Sequence, residues 1–257
     1  MIPWFQIEQI HLGPLTIQVW GLLVSLGFAL GAFVAWKEAK RKGVDTNIIL
    51  DLFILILTGA IIGGRLFYVA EHYKEYTSSL WRIFLISEGG MSFFGGFLAA
   101  LAAGVIFVRR KKLPVRKITD TLAPALAAGY GIGRFGCLFI HDHLGKITNF
   151  FLGIKTPEGV VRHEPIIYEI IFNGFLLFSV LWFLRKRIKQ DGTLSIIFLG
   201  WFLSVRFITD FFRATDLPES DIRYHGLTLA QITAIILLMG AAVFFINKYH
   251  NFSAKKV

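Results

Sequence analysis

Cysteine is almost missing from this chain of 257 residues: Cys137 stands alone, so no disulfide can form within it. Charge is scarce as well. Charged residues make up 17% of the sequence, against about 25% in an ordinary soluble domain. The first twenty residues, MIPWFQIEQIHLGPLTIQVW, lack a basic start and a small-residue cleavage site. They do not read as a signal peptide, and the first apolar run is expected to stay in the mature protein. No G-x-S-x-G segment exists, so a serine-nucleophile elbow is not expected. Internal repeats and low-complexity tracts are absent too.

What is abundant is apolar: 55% of residues are hydrophobic and the mean hydropathy is +0.61. A helix needs about 20 such residues to cross the hydrocarbon core. Seven runs qualify, at roughly 15–36, 47–70, 91–108, 118–139, 166–184, 193–212 and 227–247. The expected fold is therefore all-α: a polytopic membrane protein with seven transmembrane helices forming a single domain over 1–257. The net charge of +10 would raise nucleic acid as a partner in a soluble protein. Here the basic residues fall in alternate connections. Lys37, Lys40, Arg41 and Lys42 lie in the first, and Arg109, Arg110, Lys111, Lys112, Arg116 and Lys117 in the third. Arg185, Lys186, Arg187 and Lys189 lie in the fifth, and Lys248, Lys255 and Lys256 in the tail. That pattern sets orientation: N-terminus outside, C-terminus cytoplasmic, with outer loops 71–90, 140–165 and 213–226. No nucleic-acid partner is expected. The stretch around Leu80–Ile86 has the composition of an interfacial segment.

Ionisable side chains inside a membrane are expensive and mark function by default. Asp51, Arg65, Asp120, Arg134, Glu169, Arg206 and Asp210 lie in or at the edges of the runs. Counting about 1.5 Å per residue from the inner ends, Arg65, Arg134 and Arg206 lie roughly 27, 25 and 21 Å along their helices. All three thus reach the outer half of a core about 30 Å thick. Guanidinium presents a rigid fork that matches phosphate oxygens in pairs. Arg206, Asp210 and Arg213 share one helix face, with Asp210 placed to hold Arg206; Arg65 and Tyr68 are i, i+3 neighbours. The alternative for each arginine is snorkelling to the interface or a structural ion pair. At 133–145 the chain reads GRFGCLFIHDHLG. His141, Asp142 and His143 end a span two turns or so beyond Arg134, where an imidazole can serve as general base. As metal ligands they fit no familiar zinc spacing, and no metal or cofactor is expected. Cys137 reads as a packing residue rather than a nucleophile.

Taken in order, QVWGLLVSLGF, GGRLFYV (63–69), EGGMSFFGGFLA (88–99), GRFGCLFIHDHLG, RHEPIIYE (162–169), RFITDFFRATD (206–216) and GLTLAQ (226–231) make the chain resemble the prolipoprotein diacylglyceryl transferase family over nearly its whole length. The resemblance implies a bacterial inner-membrane enzyme. It would move the diacylglyceryl group of phosphatidylglycerol onto the lipobox cysteine of a prolipoprotein signal peptide, forming a thioether and releasing glycerol phosphate. Phosphatidylglycerol, the prolipoprotein and membrane lipid are the partners it implies. Arg134 and Arg206 would hold the phosphate, assisted by Arg65, Tyr68, Arg213, Gly95, Gly96 and Gly145. His163 and Tyr168 also keep the pattern.

The sequence departs from that pattern where the family usually carries polar groups. Asparagines are replaced by Cys137 and Ile140, a glutamate by Asp142, a histidine by Phe94, and two tyrosines by Trp20 and Phe202. The family's histidine has been assigned the base role, which Phe94 cannot play. His141, Asp142 or His143 is expected to take it over. Two alternatives stand beside this reading: an altered-substrate or non-catalytic lipid-binding paralogue of the same fold, and a small-solute transporter.

Overall fold

The computed structural model describes residues 1–253 except 14, 78, 86–88 and 219, and gives only the backbone of residues 15 and 242–253. The expected interfacial segment is therefore described as far as Leu85, with Ile86 outside the described residues, as are Lys255 and Lys256 of the basic tail. Among the described residues six helices are long and apolar enough to cross a membrane: Val19–Lys42, Thr46–Glu71, Phe93–Arg110, Val115–Ile140, Pro165–Leu184 and Thr193–Phe212. They coincide with the first six apolar runs. In chain order the helices are α1 (Val19–Lys42), α2 (Thr46–Glu71), a single turn α3 (Tyr73–Tyr76), α4 (Phe93–Arg110) and α5 (Val115–Ile140). The next span is built from α6 (Pro165–Glu169), a π-helical stretch Ile170–Leu176 and α7 (Leu177–Leu184). Then come α8 (Thr193–Thr209), continued by a 3-10 turn Asp210–Phe212, and α9 (Leu229–Ser253), whose apolar described part is Leu229–Ala241.

The chain forms two compact units, one of residues 35–118 and one of residues 1–34 with 119–257. In the first, α2 and α4 cross with backbones nearly touching. A Cβ on Gly63 would lie 2.7 Å from the Gly95 carbonyl oxygen, and one on Gly96 would lie 3.0 Å from that of Ala60. Small residues allow this approach, and van der Waals packing then holds the pair in lipid, where no hydrophobic drive joins helices. Asp45 starts α2 by accepting a hydrogen bond from the Asn47 backbone N–H at 2.9 Å.

In the second unit α5 is central. Its Gly129 meets Gly27 of α1 and its Gly131 meets Gly174 of the π-helical stretch, in both cases backbone on backbone. Ala123 and Ala127 of α5 pack with Leu177, Leu181 and Leu194 into an apolar core. Asp120 reaches across to cap α8: its carboxylate accepts from the backbone N–H groups of Gly192 (2.9 Å) and Ser195 (2.8 Å) and from the Ser195 hydroxyl (2.5 Å). The first donors of a helix have no internal partner, and a carboxylate there also opposes the positive end of the dipole.

The all-α expectation needs one correction. Short strands occur in the N-terminal segment and the connections: β1 (Ile2–Pro3), β2 (Gln9–Leu12), β3 (Leu15–Gln18), β4 (Ile154–Lys155), β5 (Val161–Arg162), β6 (Arg223–Tyr224) and β7 (Leu227–Thr228). β1 runs parallel to β4, which pairs antiparallel with β5; β2 with β3 and β6 with β7 form hairpins. Backbone that leaves a helix must find other partners, and these segments find each other. Gly145 sits in the tightest of these pairings. Its N–H donates to the His163 carbonyl at 2.8 Å, while Lys146 N–H donates to that of Phe212 at 2.9 Å. A side chain on Gly145 would meet the His163 carbonyl at 2.7 Å.

Candidate active site

Three arginines and three carboxylates of the second unit alternate in one chain of contacts. Arg134, on α5, lies with Nε 2.9 Å from the Tyr130 hydroxyl and 2.8 Å from Glu169 Oε2. The Tyr130 hydroxyl donates to the same carboxylate. Glu169, fully buried at the end of α6, also takes Arg206 of α8 on its other oxygen. Arg206 Nη2 reaches Asp210 Oδ1 at 3.1 Å, as their i, i+4 spacing predicts, and Asp210 meets Arg213 Nε at 3.4 Å. Arg213 ends the ladder on Asp221. The Thr228 hydroxyl donates to Asp210 from the start of α9.

The alternation explains how so much charge stays buried: each inner group is shared by two of opposite sign, and the six sum to zero. The arginine at the end of the ladder opposite Asp221 is incompletely used. Arg134 Nη1 has only a weak contact with the Cys137 sulfur, at 3.7 Å, and its Nη2 donates to nothing among the described residues. The Arg134 and Arg206 side chains are each 18% exposed, whereas Glu169 is closed off. An anion reaching this point finds a half-open guanidinium fork.

Expected site residues fall into three groups. Arg134, Arg206 and Arg213 belong to the ladder. His141 and His143 part company. His141 is buried and stacked 4.2 Å from Trp4. One ring nitrogen faces the Phe5 carbonyl at 2.5 Å and the other Glu164 at 3.0 Å. Nε2–H must donate to the carbonyl, so Nδ1 and the Glu164 carboxyl share a single proton. Burial pushes Glu164 above the usual carboxylate range. Both nitrogens are committed, and His141 acts as a tether for the N-terminal segment. His143 is more open. Its Nε2 lies 3.7 Å from Asp142, and both side chains are about one-third exposed. Burial, and next the Arg213 charge, push the His143 imidazole below its usual range, which keeps it neutral at neutral pH. His143, Asp142, Arg213, Leu217 and Asp221 line a cavity of about 300 Å³. Gly145 is fixed by backbone crowding. His163 and Tyr168 bond each other at 2.7 Å against Phe212, and Arg162 grips Asp216 with both fork nitrogens at 3.0 and 2.6 Å.

Arg65, Tyr68, Gly95 and Gly96 belong to the 35–118 unit and have their partners there. All five Arg65 donors are spent on backbone carbonyls: Nε on Ile83, Nη1 on Gly89 and Gly90, Nη2 on Arg82 and Leu85. Tyr68 stacks on His72 at 4.2 Å and covers Gly90. Gly95 and Gly96 make the α2–α4 crossing. This placement leaves Arg65 with no donor for a phosphate and explains both glycines by packing.

A family model described as prolipoprotein diacylglyceryl transferase matches residues 8–247. The chain belongs to the prolipoprotein diacylglyceryl transferase family. Relatives named phosphatidylglycerol--prolipoprotein diacylglyceryl transferase include that of Chromohalobacter salexigens, 33% identical over 91% of this chain and 89% of the relative. Those of Geobacter sulfurreducens and Bacillus cytotoxicus are 34% identical over 80% and 81%, and 29% identical over 99% and 96%.

The residues at which departures from the family's pattern are expected have clear surroundings. Cys137 is buried beside Arg134. Phe202 packs edge-on against Tyr130 at 4.9 Å, so the hydroxyl that the ladder uses comes from Tyr130. Phe94 is half-exposed near Phe67 in the 35–118 unit. Sequence reasoning left Glu169 and Tyr130 out of the site. The signal for Glu169 was present, a carboxylate within a span; Tyr130 carried none that sets it apart from other membrane tyrosines.

Proposed function

We propose that this protein transfers the diacylglyceryl group of phosphatidylglycerol to the lipobox cysteine thiol of a prolipoprotein, in the bacterial inner membrane. The names of its relatives support the reaction, and the half-open Arg134 fork on a neutral, buried charge ladder supports the site. The protein is a single transmembrane domain that crosses the membrane seven times, α9 being the seventh span, with the N-terminus outside and the C-terminus cytoplasmic. Loops 71–90, 140–165 and 213–226 face outward.

Arg134 and Arg206 hold the phosphate. Phosphate adds negative charge that competes with Glu169 for both guanidiniums, and the free Nη2 of Arg134 gives it a first foothold. The cysteine thiol loses its proton to His143, whose neutral imidazole accepts it beside Asp142. The thiolate attacks the glyceryl carbon that carries the phosphate. A carbon–sulfur bond forms, the carbon–oxygen bond breaks, and its electron pair leaves with the phosphate oxygen. The two guanidiniums stabilise that charge as it grows. The proton on His143 passes to glycerol phosphate or water.

Purified protein, labelled phosphatidylglycerol and a lipobox peptide test this directly. Label on the peptide cysteine, lost in Arg134→Ala, is the expected result. Phospholipid binding without transfer would instead favour a non-catalytic or altered-substrate member of the family, the reading that the loss of histidine at Phe94 favours.

A further inference from the structure

Asn173 is fully buried in the π-helical stretch, and neither its amide nitrogen nor its amide oxygen has a hydrogen-bond partner. Burying such a group unpaired costs on the order of 1–3 kcal/mol, and a membrane interior supplies no water to relieve it. A leucine would fill the position without that cost. π-helical turns inside α-helical spans concentrate at functional sites.

Its neighbours define what it faces. Glu169, four residues earlier, meets Tyr130 and Arg134 of α5. Leu177, four residues later, packs with Ala123 and Ala127 of the same helix. Asn173 lies between them on this buried stripe, so it looks toward the stretch of α5 that holds Ala127, Ala128 and Gly131. Tyr130, the one polar side chain there, is committed to Glu169. The adjacent Gly131–Gly174 crossing is backbone on backbone, and Phe135 meets Phe175 edge-on beside it.

We propose that Asn173 recognises the ester-linked part of the substrate phospholipid. This rests on the reading that Arg134 and Arg206 hold the phosphate. Four residues of the π-helical stretch, which rises less per residue than the 1.5 Å of an α-helix, place the amide up to about 6 Å deeper than Glu169. In a glycerophospholipid the ester carbonyls lie a few bonds inward from the phosphate, on the same side as the acyl chains. An ester carbonyl only accepts, and Asn173 Nδ2 is a donor with nothing else to serve. Its Oδ1 stays unpaired, which an oxygen tolerates better than an orphaned N–H does.

The test compares diacyl phosphatidylglycerol with its diether analogue, which keeps the phosphate and the scissile bond but lacks both carbonyls. Equilibrium binding to the purified full-length protein, and transfer to a lipobox peptide, are measured for each. The wild type should bind the diester about tenfold more tightly, the worth of one neutral hydrogen bond. Asn173→Leu should bind the two equally, and Asn173→Gln should recover part of the preference. Equal binding of both lipids by the wild type overturns the proposal without needing any variant. A preference that survives in Asn173→Leu overturns it too, leaving Asn173 a structural residue. Because binding is read separately from transfer, ester preference without transfer would leave this proposal standing and sink the transferase reading.

Discussion

Arg65 and Arg134 look alike from the sequence: each is an arginine late in a long apolar run, after a glycine. Their surroundings teach how differently a membrane protein can buy the burial of a guanidinium. In the 35–118 unit, Arg65 is wrapped by five carbonyls that saturate every donor and supply dipoles, with no carboxylate beside it among the described residues. In the other unit, Arg134 and Arg206 share Glu169, which supplies counter-charge while leaving donors over. A saturated cage builds a loop; a neutralised but unsaturated fork leaves donors open to an anion.

The largest effect should follow from breaking the shared carboxylate. Glu169→Gln leaves two buried guanidiniums without their common partner. Removing one member of a buried ion pair costs about 3–5 kcal/mol, so thermal unfolding in detergent should shift well below wild type and transfer should vanish. A variant that unfolds like wild type would show that the ladder does not carry the fold.

Next in size is the exchange of arginine for lysine at the two positions. A lysine keeps the charge but loses the planar fork. Arg134→Lys should lower transfer by about 10²-fold, the usual worth of one positioned donor in a transition state, with thermal stability nearly unchanged. Arg65→Lys should do the opposite: three donors cannot serve five carbonyls, so the melting temperature falls while transfer per folded molecule stays within a few-fold of wild type. Equal loss of activity at both positions would erase the distinction between cage and ladder.

This distinction also marks what was legible beforehand. Apolar runs located six helices long enough to cross a membrane, because length and hydropathy follow from the bilayer itself. The i, i+4 spacing of Arg206 and Asp210 foretold their ion pair, because that geometry is local to one helix. Nothing local told Arg65 from Arg134. Apart from Tyr130, one turn before Arg134, their partners come from segments 17–25 and 35 residues away, and only the folded chain brings a run of carbonyls to one and a carboxylate to the other. His141 and His143 repeat the lesson two residues apart. Both line the cavity, but His141, with a positive φ, has its ring buried against Trp4 and Glu164, while the His143 side chain is about one-third exposed.

A smaller, pH-dependent effect separates those two histidines. His143 is held below the ordinary histidine range, and the base must be neutral to accept the thiol proton. Transfer should therefore be lost as pH falls through a value under about 6.5. His143→Gln should lower the rate and remove that acid limb. An unchanged limb would move the base elsewhere. The same shift adds to stability with the opposite limb from a paired histidine: folding favours the neutral ring, so the contribution is present above the unfolded-state value and fades as pH falls below it.

The least effect on chemistry should come from the tether. His141→Ala removes one partner of a buried pair and opens space beneath Trp4. Glu164, already raised by burial, then takes up a proton of its own and stays buried as a neutral acid, so the cost is nearer that of a lost hydrogen bond, about 1–3 kcal/mol. The loss is local. Ile2 still pairs with Gly153 and Ile7 with Phe139 through their backbones, but the segment between them loses its anchor. Amide exchange at residues 4–6 should quicken several-fold more than at α5, while transfer keeps its acid limb because His143 is untouched. If that limb disappeared in His141→Ala, the tether and the base would have to trade places.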